Sequence, residues 1–361
     1  MIIFRNGLLQ VAPGGSPATC TLLQERDPVR HIAYIGTYTT AGSEGIYRIE
    51  FAEGNIQLFG TIPAVNPSYL VTGGDTLYAV RETRGGSALS YRMTANGIHE
   101  LTGQQETMGD APCHLCLDGG YLYAANYSTG SLAEFTLDDG GRVQRLSRLI
   151  EHTGSSVHPT RQTKPHVHFS CVTPDGKYLA VCDLGTDEVL FYRRTDSGIE
   201  DAPESVHVPQ GSGPRHAVFG KKEVWYVVCE LTCTLLVYRG YGKDAELVQN
   251  LSMLQTPDPG SSCAALQMSP DSQSLLVSVR GANSLVLAGI REDGLLENAR
   301  FHSSCGDWPR DARFTPCGRY VICACERSGH LSVFGLVNDM LEHMGNYPLP
   351  SPTCICFVSQ Q

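Results

Sequence analysis

The chain has 361 residues, of which 42% are hydrophobic and 18% are charged, as is ordinary for a globular protein. Its formal net charge of −10, with no basic cluster, argues against a general affinity for nucleic acid. The sequence contains no run of about 18 apolar residues, so we predict no association with a membrane.

The 14 cysteines indicate the expected compartment. Most lie inside apolar segments, among them Cys182, Cys229 and Cys323, where a free thiol behaves as a small hydrophobic group. We therefore predict neither disulfides nor a metal site, and no cofactor. So many free thiols are typical of a reducing environment, which predicts a cytoplasmic protein.

The first 30 residues resemble no later segment of the chain. They include a patch rich in Pro, Gly and Ser, Pro13–Pro17, that favours weak order. We predict an N-terminal extension over residues 1–30, weakly ordered or packed on the domain that follows, and one domain over residues 31–361.

From His31 onward one pattern recurs: a short strand, often led by proline, then a turn, an apolar strand, a polar turn and an alternating strand. Gly213–Tyr238 and Trp308–Phe334 are the clearest copies. The residue that ends the second strand recurs at intervals of 44, 45, 57, 47, 50 and 46 residues. Its seven positions are Thr37, Arg81, Asn126, Asp183, Glu230, Arg280 and Glu326. Seven such units predict an all-β fold, a seven-bladed β-propeller.

The two ends of the repeat region complement each other. Ser351–Val358 has the pattern of an innermost strand, and His31–Thr39 has the pattern of a second strand without a first. We predict that the closing blade is built from both termini, because a closed ring leaves no exposed sheet edge at the seam.

The longest interval contains an insertion, His152–Lys164, before the inner strand of the next blade. This connection returns towards the channel, so His158, Arg161 and Lys164 are placed to overhang its mouth. A solvated loop is the alternative interpretation, and the sequence alone does not decide between them.

The first strand of each blade lines the central channel of a propeller, so polar residues at its start are candidates for a site. The position after the leading proline holds Ser68, Cys113, Arg215, Arg310 and Thr353. Counting back from Pro174 in the third full blade brings His168 into register with Arg215 and Arg310. Glu230 and Arg280, at the ends of second strands, are expected near the same mouth.

We predict that His168, Arg215 and Glu230 are catalytic. Arginine forks bind phosphate or carboxylate groups, and a nearby histidine can act as a general base. The predicted substrate-binding residues are Arg280, Arg310, His166, His216 and Asp183. For single histidines at strand starts, hydrogen bonding between blades is the alternative role, and Arg280 and Arg310 could instead neutralise carboxylates.

Segments throughout the chain resemble the propeller-type 6-phosphogluconolactonases, a family that includes carboxy-cis,cis-muconate lactonising enzymes. They include YIGTYTTAGSEGIYRI, APCHL, ANYSTGSL, GSGPRHAVF, CELTCTLLVY and WPRDARFTPCGRYV, in order between His31 and Phe357. The resemblance implies a seven-bladed propeller with its site at the channel mouth. The family's proposed catalytic His, Arg and Glu fall on His168, Arg215 and Glu230, and a second Arg falls on Arg280. The chain departs from the usual family pattern at Arg81, Ala265 and Glu326.

The resemblance implies hydrolysis of 6-phosphoglucono-1,5-lactone, a small phosphorylated sugar lactone, in the pentose phosphate pathway. In this hypothesis His168 activates water, Arg215 stabilises the oxyanion, and Arg280 or Arg310 holds the phosphate. One alternative is a muconate-type lactonising cycloisomerase, or another sugar lactonase. A further alternative is a propeller that serves as a protein-interaction scaffold without catalysis. We expect a monomer or a homodimer.

Overall fold

A computed structural model describes residues 29–94 and 99–358. It is built almost entirely of β-strands, arranged in seven antiparallel sheets in chain order, which we number as blades I to VII. Two 3-10 turns, Thr39–Ala41 and Gly242–Asp244, are the helical segments of the described ranges. The prediction of an all-β, seven-bladed propeller is confirmed. The prediction for the extension 1–30 falls almost wholly outside the described residues.

The strands of each blade are given from the channel outwards. Blade I consists of Pro352–Phe357, Arg30–Thr37, Gly45–Ala52 and Asn55–Pro63. Blade II consists of Leu70–Gly73, Thr76–Arg81, Ser87–Met93 and His99–Glu106. Blade III consists of Pro112–Asp118, Tyr121–Asn126, Ser131–Leu137 and Val143–Glu151. Blade IV consists of Val167–Val172, Tyr178–Asp183, Glu188–Thr195, Gly198–Ile199 and Glu204–His207. Blade V consists of Pro214–Phe219, Val224–Cys229, Thr234–Arg239 and Glu246–Ser252. Blade VI consists of Ser262–Met268, Ser274–Arg280, Ser284–Ile290 and Leu296–Ser303. Blade VII consists of Pro309–Phe314, Tyr320–Cys325, His330–Val337 and Met340–Pro348.

Apolar side chains between neighbouring blades form the core. The second strand of blade V, Val224–Cys229, is buried at every position because both of its faces are covered by adjacent blades. The outermost strand Asn55–Pro63 is mostly exposed, and the apolar side chains of Leu58 and Phe59 are open to solvent. Within the described residues no helix is long and apolar enough to cross a membrane.

The ring is closed by strands from both ends of the chain. Pro352–Phe357 pairs antiparallel with Arg30–Thr37, with Ile355 opposite Ile35, as the sequence predicted. Asp311 of blade VII strengthens this seam, because its Oδ2 accepts the backbone N–H of Ile355 at 2.8 Å and the Arg313 Nε–H at 3.1 Å.

One backbone hydrogen bond sets the same register in six blades. In each, the residue after the second strand donates its N–H to a carbonyl of the segment that precedes the first strand, at 2.7–3.1 Å. The donors are Tyr38, Glu82, Tyr127, Leu184, Glu230 and Glu326. In blade VI the ladder pair Arg280 and Ser262 occupies this position. These seven residues are therefore equivalent and surround the channel mouth.

A β-bulge then turns one residue of the first strand towards the channel. The ladder skips Cys113, His168, Arg215, Arg310 and Thr353 at matching points of five blades. Because a bulge inserts an unpaired residue and re-aims its side chain, these side chains share one level. The predicted register of His168 with Arg215 and Arg310 is confirmed.

We expect Asp311→Ala to lower the free energy of unfolding by about 3–5 kcal/mol, because it leaves the Arg313 charge without its partner in a buried site. Urea unfolding would measure the change. Asp293→Ala is the matched control, since Asp293 also pairs with an arginine two residues away and accepts one backbone N–H, but is exposed. That variant should lose about 1 kcal/mol or less. Equal losses would contradict a special role of the seam.

Candidate active site at the channel mouth

The carboxylate of Glu230 lies at the centre of the site and contacts three arginines. Arg161 Nη2 donates to Oε1 at 2.6 Å, Arg215 Nε donates to Oε2 at 2.9 Å, and Arg280 Nη2 lies 3.0 Å from Oε2. The side chains of Arg215, Arg280 and Glu230 are almost completely buried, and that of Arg161 is 38% exposed. One carboxylate therefore faces three guanidinium groups, so the cluster carries an excess of positive charge.

The charges of this cluster are coupled. Burial by itself would raise the pKa of Glu230, but Arg280, Arg215 and Arg161 outweigh burial and hold this pKa well below its usual range. Burial, and then the charge of Arg280, lower the pKa of Arg215 to about 10, so its guanidinium is still cationic at neutral pH. The site combines a permanent carboxylate with permanent cations.

His168 lies beside this cluster in the channel and is 5% exposed. Burial, and then the charge of Arg215, lower its pKa well below 6.5, so the imidazole is neutral at physiological pH. Its Nδ1 is buried and has no hydrogen-bond partner in the part of the chain that the structure describes. His216, in contrast, is hydrogen-bonded to Arg215: its Nε2 accepts a hydrogen bond from Arg215 Nη1 at 3.0 Å. His168 is thus a basic group available for a ligand, whereas His216 orients Arg215.

The insertion before blade IV reaches the channel. Arg161 Nη2 binds both Glu230 and the Tyr127 hydroxyl, the latter at 2.8 Å. The interpretation of this segment as a solvated loop is therefore wrong for Arg161. His158 instead accepts the backbone N–H of Arg161 at 3.2 Å, and the exposed Lys164 binds the Ser128 carbonyl at 2.6 Å. Arg161 is a site residue for which the sequence left two interpretations open.

A second charged cluster faces the first across the channel. The Glu82 carboxylate accepts the Tyr38 hydroxyl at 3.0 and 3.1 Å and is also bonded by Ser68. Arg310 donates to the Tyr38 hydroxyl at 2.6 Å and pairs with Glu326 at 3.4 Å. Burial raises the pKa of Glu82, although Arg310 opposes this shift. Here two carboxyl groups surround one guanidinium, so the two clusters differ in charge.

A small cavity joins the two clusters. It is about 20 Å³ in volume, and its lining includes Glu82, Cys113, His168, Arg215 and Arg310. This volume accommodates about one water molecule and is too small for a sugar ring. A larger ligand would therefore bind above the cavity, at the mouth, with its reactive group directed inwards.

Two predicted substrate-binding residues lie outside the arginine cluster. Asp183 is fully buried, and its carboxylate binds His152 Nδ1 and the backbone N–H groups of His166 and Gly185 at 2.8–2.9 Å. His166 stacks on the Tyr127 ring, with centroids 4.5 Å apart, and donates to the Tyr127 carbonyl at 2.8 Å. Asp183 therefore supports the strand end, and His166 contacts the site through Tyr127.

The position of Asp183 follows from a difference of one residue. The equivalents of Glu230 are Tyr127 and Leu184, so Asn126 and Asp183 stand one residue before the channel-facing position. A shift of one residue in a strand directs a side chain to the opposite face. Tyr127 was not among the residues predicted from the sequence, and the equivalent backbone hydrogen bond is the signal that identifies it.

All 13 cysteines of the described residues are free thiols. Cys113 and Cys116 have a Cys-x-x-Cys spacing, but both lie on the first strand of blade III, and burial raises their pKa values above the usual 9.0. In residues 29–94 and 99–358, no group of three or more His, Cys, Asp or Glu side chains is arranged to hold a metal ion.

Residues 32–357 match the family described as lactonase, 7-bladed beta-propeller. The chain belongs to this family. The 6-phosphogluconolactonase of Bacillus subtilis strain 168 is 30% identical to this chain over 351 residues, which cover 92% of this chain and 99% of that protein.

Solved structures agree with the lactonase fold. A crystal structure from Bacteroides fragilis is 28% identical, with a TM-score of 0.87 over 95% of this chain and 100% of that one. The periplasmic gluconolactonase of Pseudomonas aeruginosa is 30% identical, with a TM-score of 0.85 over 92% of this chain and 99% of that one. These similarities extend over the whole propeller, including all the blades that supply the arginine cluster.

We expect Glu230→Gln to destabilise the protein by about 3–5 kcal/mol, because it leaves three guanidinium groups without their shared carboxylate. Phosphate or sulfate should restore part of this stability by binding the unpaired cations, and chloride should restore less. Thermal unfolding with each anion would measure both effects. The exposed carboxylate of Glu342 offers a matched control, Glu342→Gln, which should show neither effect. A Glu230→Gln protein as stable as the parent would contradict the central role of this carboxylate.

Stability should fall when the pH is lowered below about 6.5. Burial, followed by neighbouring arginines, lowers the pKa values of His114, His168 and His216, so the unfolded chain binds protons that the folded chain excludes. Their contribution is complete above the unfolded pKa of 6.5 and is lost as the pH falls towards the lowered folded values. Each histidine adds a slope of about 1.4 kcal/mol per pH unit.

Urea unfolding over a series of pH values would measure this slope. His114→Gln should reduce it by the contribution of about one proton, whereas His343→Gln, on the outermost strand of blade VII, should leave it unchanged. A slope that does not respond to His114→Gln would contradict the assignment.

Proposed function

We propose that this lactonase-family chain hydrolyses 6-phosphoglucono-1,5-lactone to 6-phosphogluconate. The observation that carries the proposal is the excess of guanidinium groups around Glu230, beside the neutral imidazole of His168. An anionic ester substrate needs cations to bind it and an uncharged base to activate water. The arginine cluster and His168 lie next to each other at the channel mouth.

The proposed step begins with water held near His168. A ring nitrogen of His168 accepts one proton while the water oxygen attacks the lactone carbonyl carbon, and the carbonyl becomes an oxyanion. The tetrahedral intermediate then breaks the bond between the carbonyl carbon and the ring oxygen, and the imidazolium returns its proton to that oxygen. The product is an open-chain hydroxy acid, which loses a proton to the solvent and leaves the imidazole neutral.

Arg215 is the proposed stabiliser of the oxyanion. Its Nε and Nη1 are held by Glu230, by His216 and by the Ala264 carbonyl, at 2.7–3.0 Å, so the guanidinium is fixed before the substrate binds. A fixed donor in a site shielded from water stabilises a developing charge without reorganisation, and losing one such donor costs about 3–4 kcal/mol. Glu230 positions Arg215 and keeps the neighbouring cations together.

The phosphate is better matched to Arg280 than to Arg310. Arg310 is surrounded by Glu82, Glu326 and the Tyr38 hydroxyl, so a dianion there would meet two carboxyl groups. Arg280 belongs to the cluster with excess positive charge, and its buried Nε has no partner among the described residues. We therefore propose that the phosphate binds on the Arg280 side of the mouth.

The Bacillus subtilis relative supports a phosphorylated sugar lactone, and the Pseudomonas aeruginosa neighbour supports its unphosphorylated counterpart as the alternative. The free thiols of the described residues support a reducing compartment, so we propose a cytoplasmic location and a role in the pentose phosphate pathway.

An assay of 6-phosphogluconolactone consumption, corrected for spontaneous hydrolysis, tests the proposal directly. Glucono-1,5-lactone and a carboxymuconate are the comparison substrates. The proposal requires the highest kcat/KM on the phosphorylated lactone. Lactone consumption no faster than in the absence of protein would contradict it.

We expect His168→Ala to lower kcat for 6-phosphogluconolactone by about 10²–10⁴-fold, because the variant lacks the general base. Steady-state kinetics would measure the loss. His207→Ala is the control within the same blade, since His207 lies exposed on its outer strand and should leave kcat unchanged. Unchanged turnover in His168→Ala would exclude His168 as the base.

A further inference from the structure

We propose that Arg327, supported by the Trp308 ring, binds the phosphate group of the substrate and so determines selectivity for phosphorylated over unphosphorylated lactones. This inference rests on the function proposed above and extends it to a residue that no sequence motif indicated.

Arg327 presents a guanidinium group with free hydrogen-bond donors. Its central carbon lies 3.4 Å from the centroid of the Trp308 ring, so the guanidinium is in contact with the aromatic face. Within residues 29–94 and 99–358, Arg327 makes no hydrogen bond or ion pair. Stacking fixes one face of the group and leaves its N–H edge open to a ligand.

Trp308 connects Arg327 to the catalytic cluster. The same ring lies 5.4 Å from the guanidinium carbon of Arg280, which pairs with Glu230 at 3.0 Å. Two arginines therefore contact one aromatic ring, and the inner of the two carries a buried Nε without a partner in the described ranges. A phosphate bound at Arg327 would therefore lie next to the Arg280 end of the cluster.

The backbone holds Trp308 in this place. Its φ of +63° is unusual for a bulky residue, and such strain persists only where neighbouring contacts fix the conformation. Asn283 Oδ1 accepts the Trp308 N–H at 2.9 Å, and the Trp308 carbonyl accepts the Glu326 N–H at 3.1 Å. The platform is therefore preorganised.

Neither neighbouring carboxylate occupies the Arg327 guanidinium. It directly follows Glu326, whose carboxylate is already paired with Arg310 inside the channel. Asp307, beside Trp308, is bonded by Asn283 Nδ2 at 2.9 Å and does not pair with Arg327. Because neither carboxylate uses this guanidinium, Arg327 is available to a phosphate, which an arginine fork binds through two parallel hydrogen bonds.

These contacts assign the lactone ring and the phosphate group of the substrate to different residues. The lactone ring, directed to His168 and Arg215, is common to phosphorylated and unphosphorylated substrates. Arg327 contributes only when a phosphate is present. Its removal should therefore affect one substrate and spare the other.

The experiment compares kcat/KM for 6-phosphogluconolactone and glucono-1,5-lactone in the parent protein, in Arg327→Ala and in Arg327→Lys. We expect Arg327→Ala to lower kcat/KM about 10–100-fold for the phosphorylated lactone only, as expected for losing hydrogen bonds to a charged group. Arg327→Lys should recover only part of the loss, because an ammonium group cannot form the parallel pair. Equal losses on both substrates, or no loss, would overturn the proposal.

Arg319→Ala is the matched control. Arg319 is also exposed and also lies over an aromatic ring of blade VII, that of Tyr320, but at the opposite end of the strand Tyr320–Cys325. The Arg319→Ala substitution removes the same charge from the same blade and should leave kcat/KM for both lactones unchanged. A selective loss in Arg319→Ala as large as that in Arg327→Ala would assign the effect to net charge and contradict a phosphate site.

Calorimetric binding of 6-phosphogluconate and gluconate separates this inference from the proposed reaction. Selective binding of 6-phosphogluconate that is lost in Arg327→Ala supports the phosphate site even if the parent protein hydrolyses neither lactone, in which case only the proposed function fails. If the parent hydrolyses 6-phosphogluconolactone but Arg327→Ala binds 6-phosphogluconate as tightly as the parent, the function stands and the inference fails.

Discussion

The pairing of one buried carboxylate with three guanidinium groups is the interaction on which the site depends. Arginines stripped of water repel each other and are unstable without counter-charge. Glu230 supplies that counter-charge to groups from three different segments, at 2.6–3.0 Å. The same positive field, together with burial, keeps His168 uncharged beside it. The proposed action of His168 as a base and the proposed binding of an anion therefore have one common electrostatic origin.

The propeller makes this convergence possible through two repeated backbone features. A hydrogen bond from the residue after the second strand places Tyr38, Glu82, Tyr127 and Glu230 at equivalent points of the mouth. The bulge in the first strand places His168, Arg215 and Arg310 one level further in. Five blades thus contribute a side chain at the bulge, all seven contribute one at the end of the second strand, and the identity of those side chains divides the mouth into a basic and an acidic side.

Much of this was accessible from the sequence, because it is periodic. The blade count, the composite blade and the register of His168 with Arg215 follow from spacing and strand pattern. The sequence did not predict which residue at the end of each second strand faces the channel, because a strand end is uncertain by one residue. Asp183 precedes the channel-facing residue of its blade by one position. Arg161 belongs to an insertion without periodicity, so only the folded chain shows that it reaches Glu230. The contacts of the Tyr38 hydroxyl with Glu82 and Arg310 join distant blades, so only the folded chain shows them.

The seam between the two termini also bears on how the protein is made. Pro352–Phe357 is synthesised after the strands of the other six blades, yet it must lie innermost in the first blade, beside Arg30–Thr37. Until it docks, the ring is an open arc whose ends lie on opposite sides of six intervening blades in the chain, and bringing such distant segments together is entropically unfavourable. A nascent chain therefore has no closed ring until this strand has been made and has paired with Arg30–Thr37.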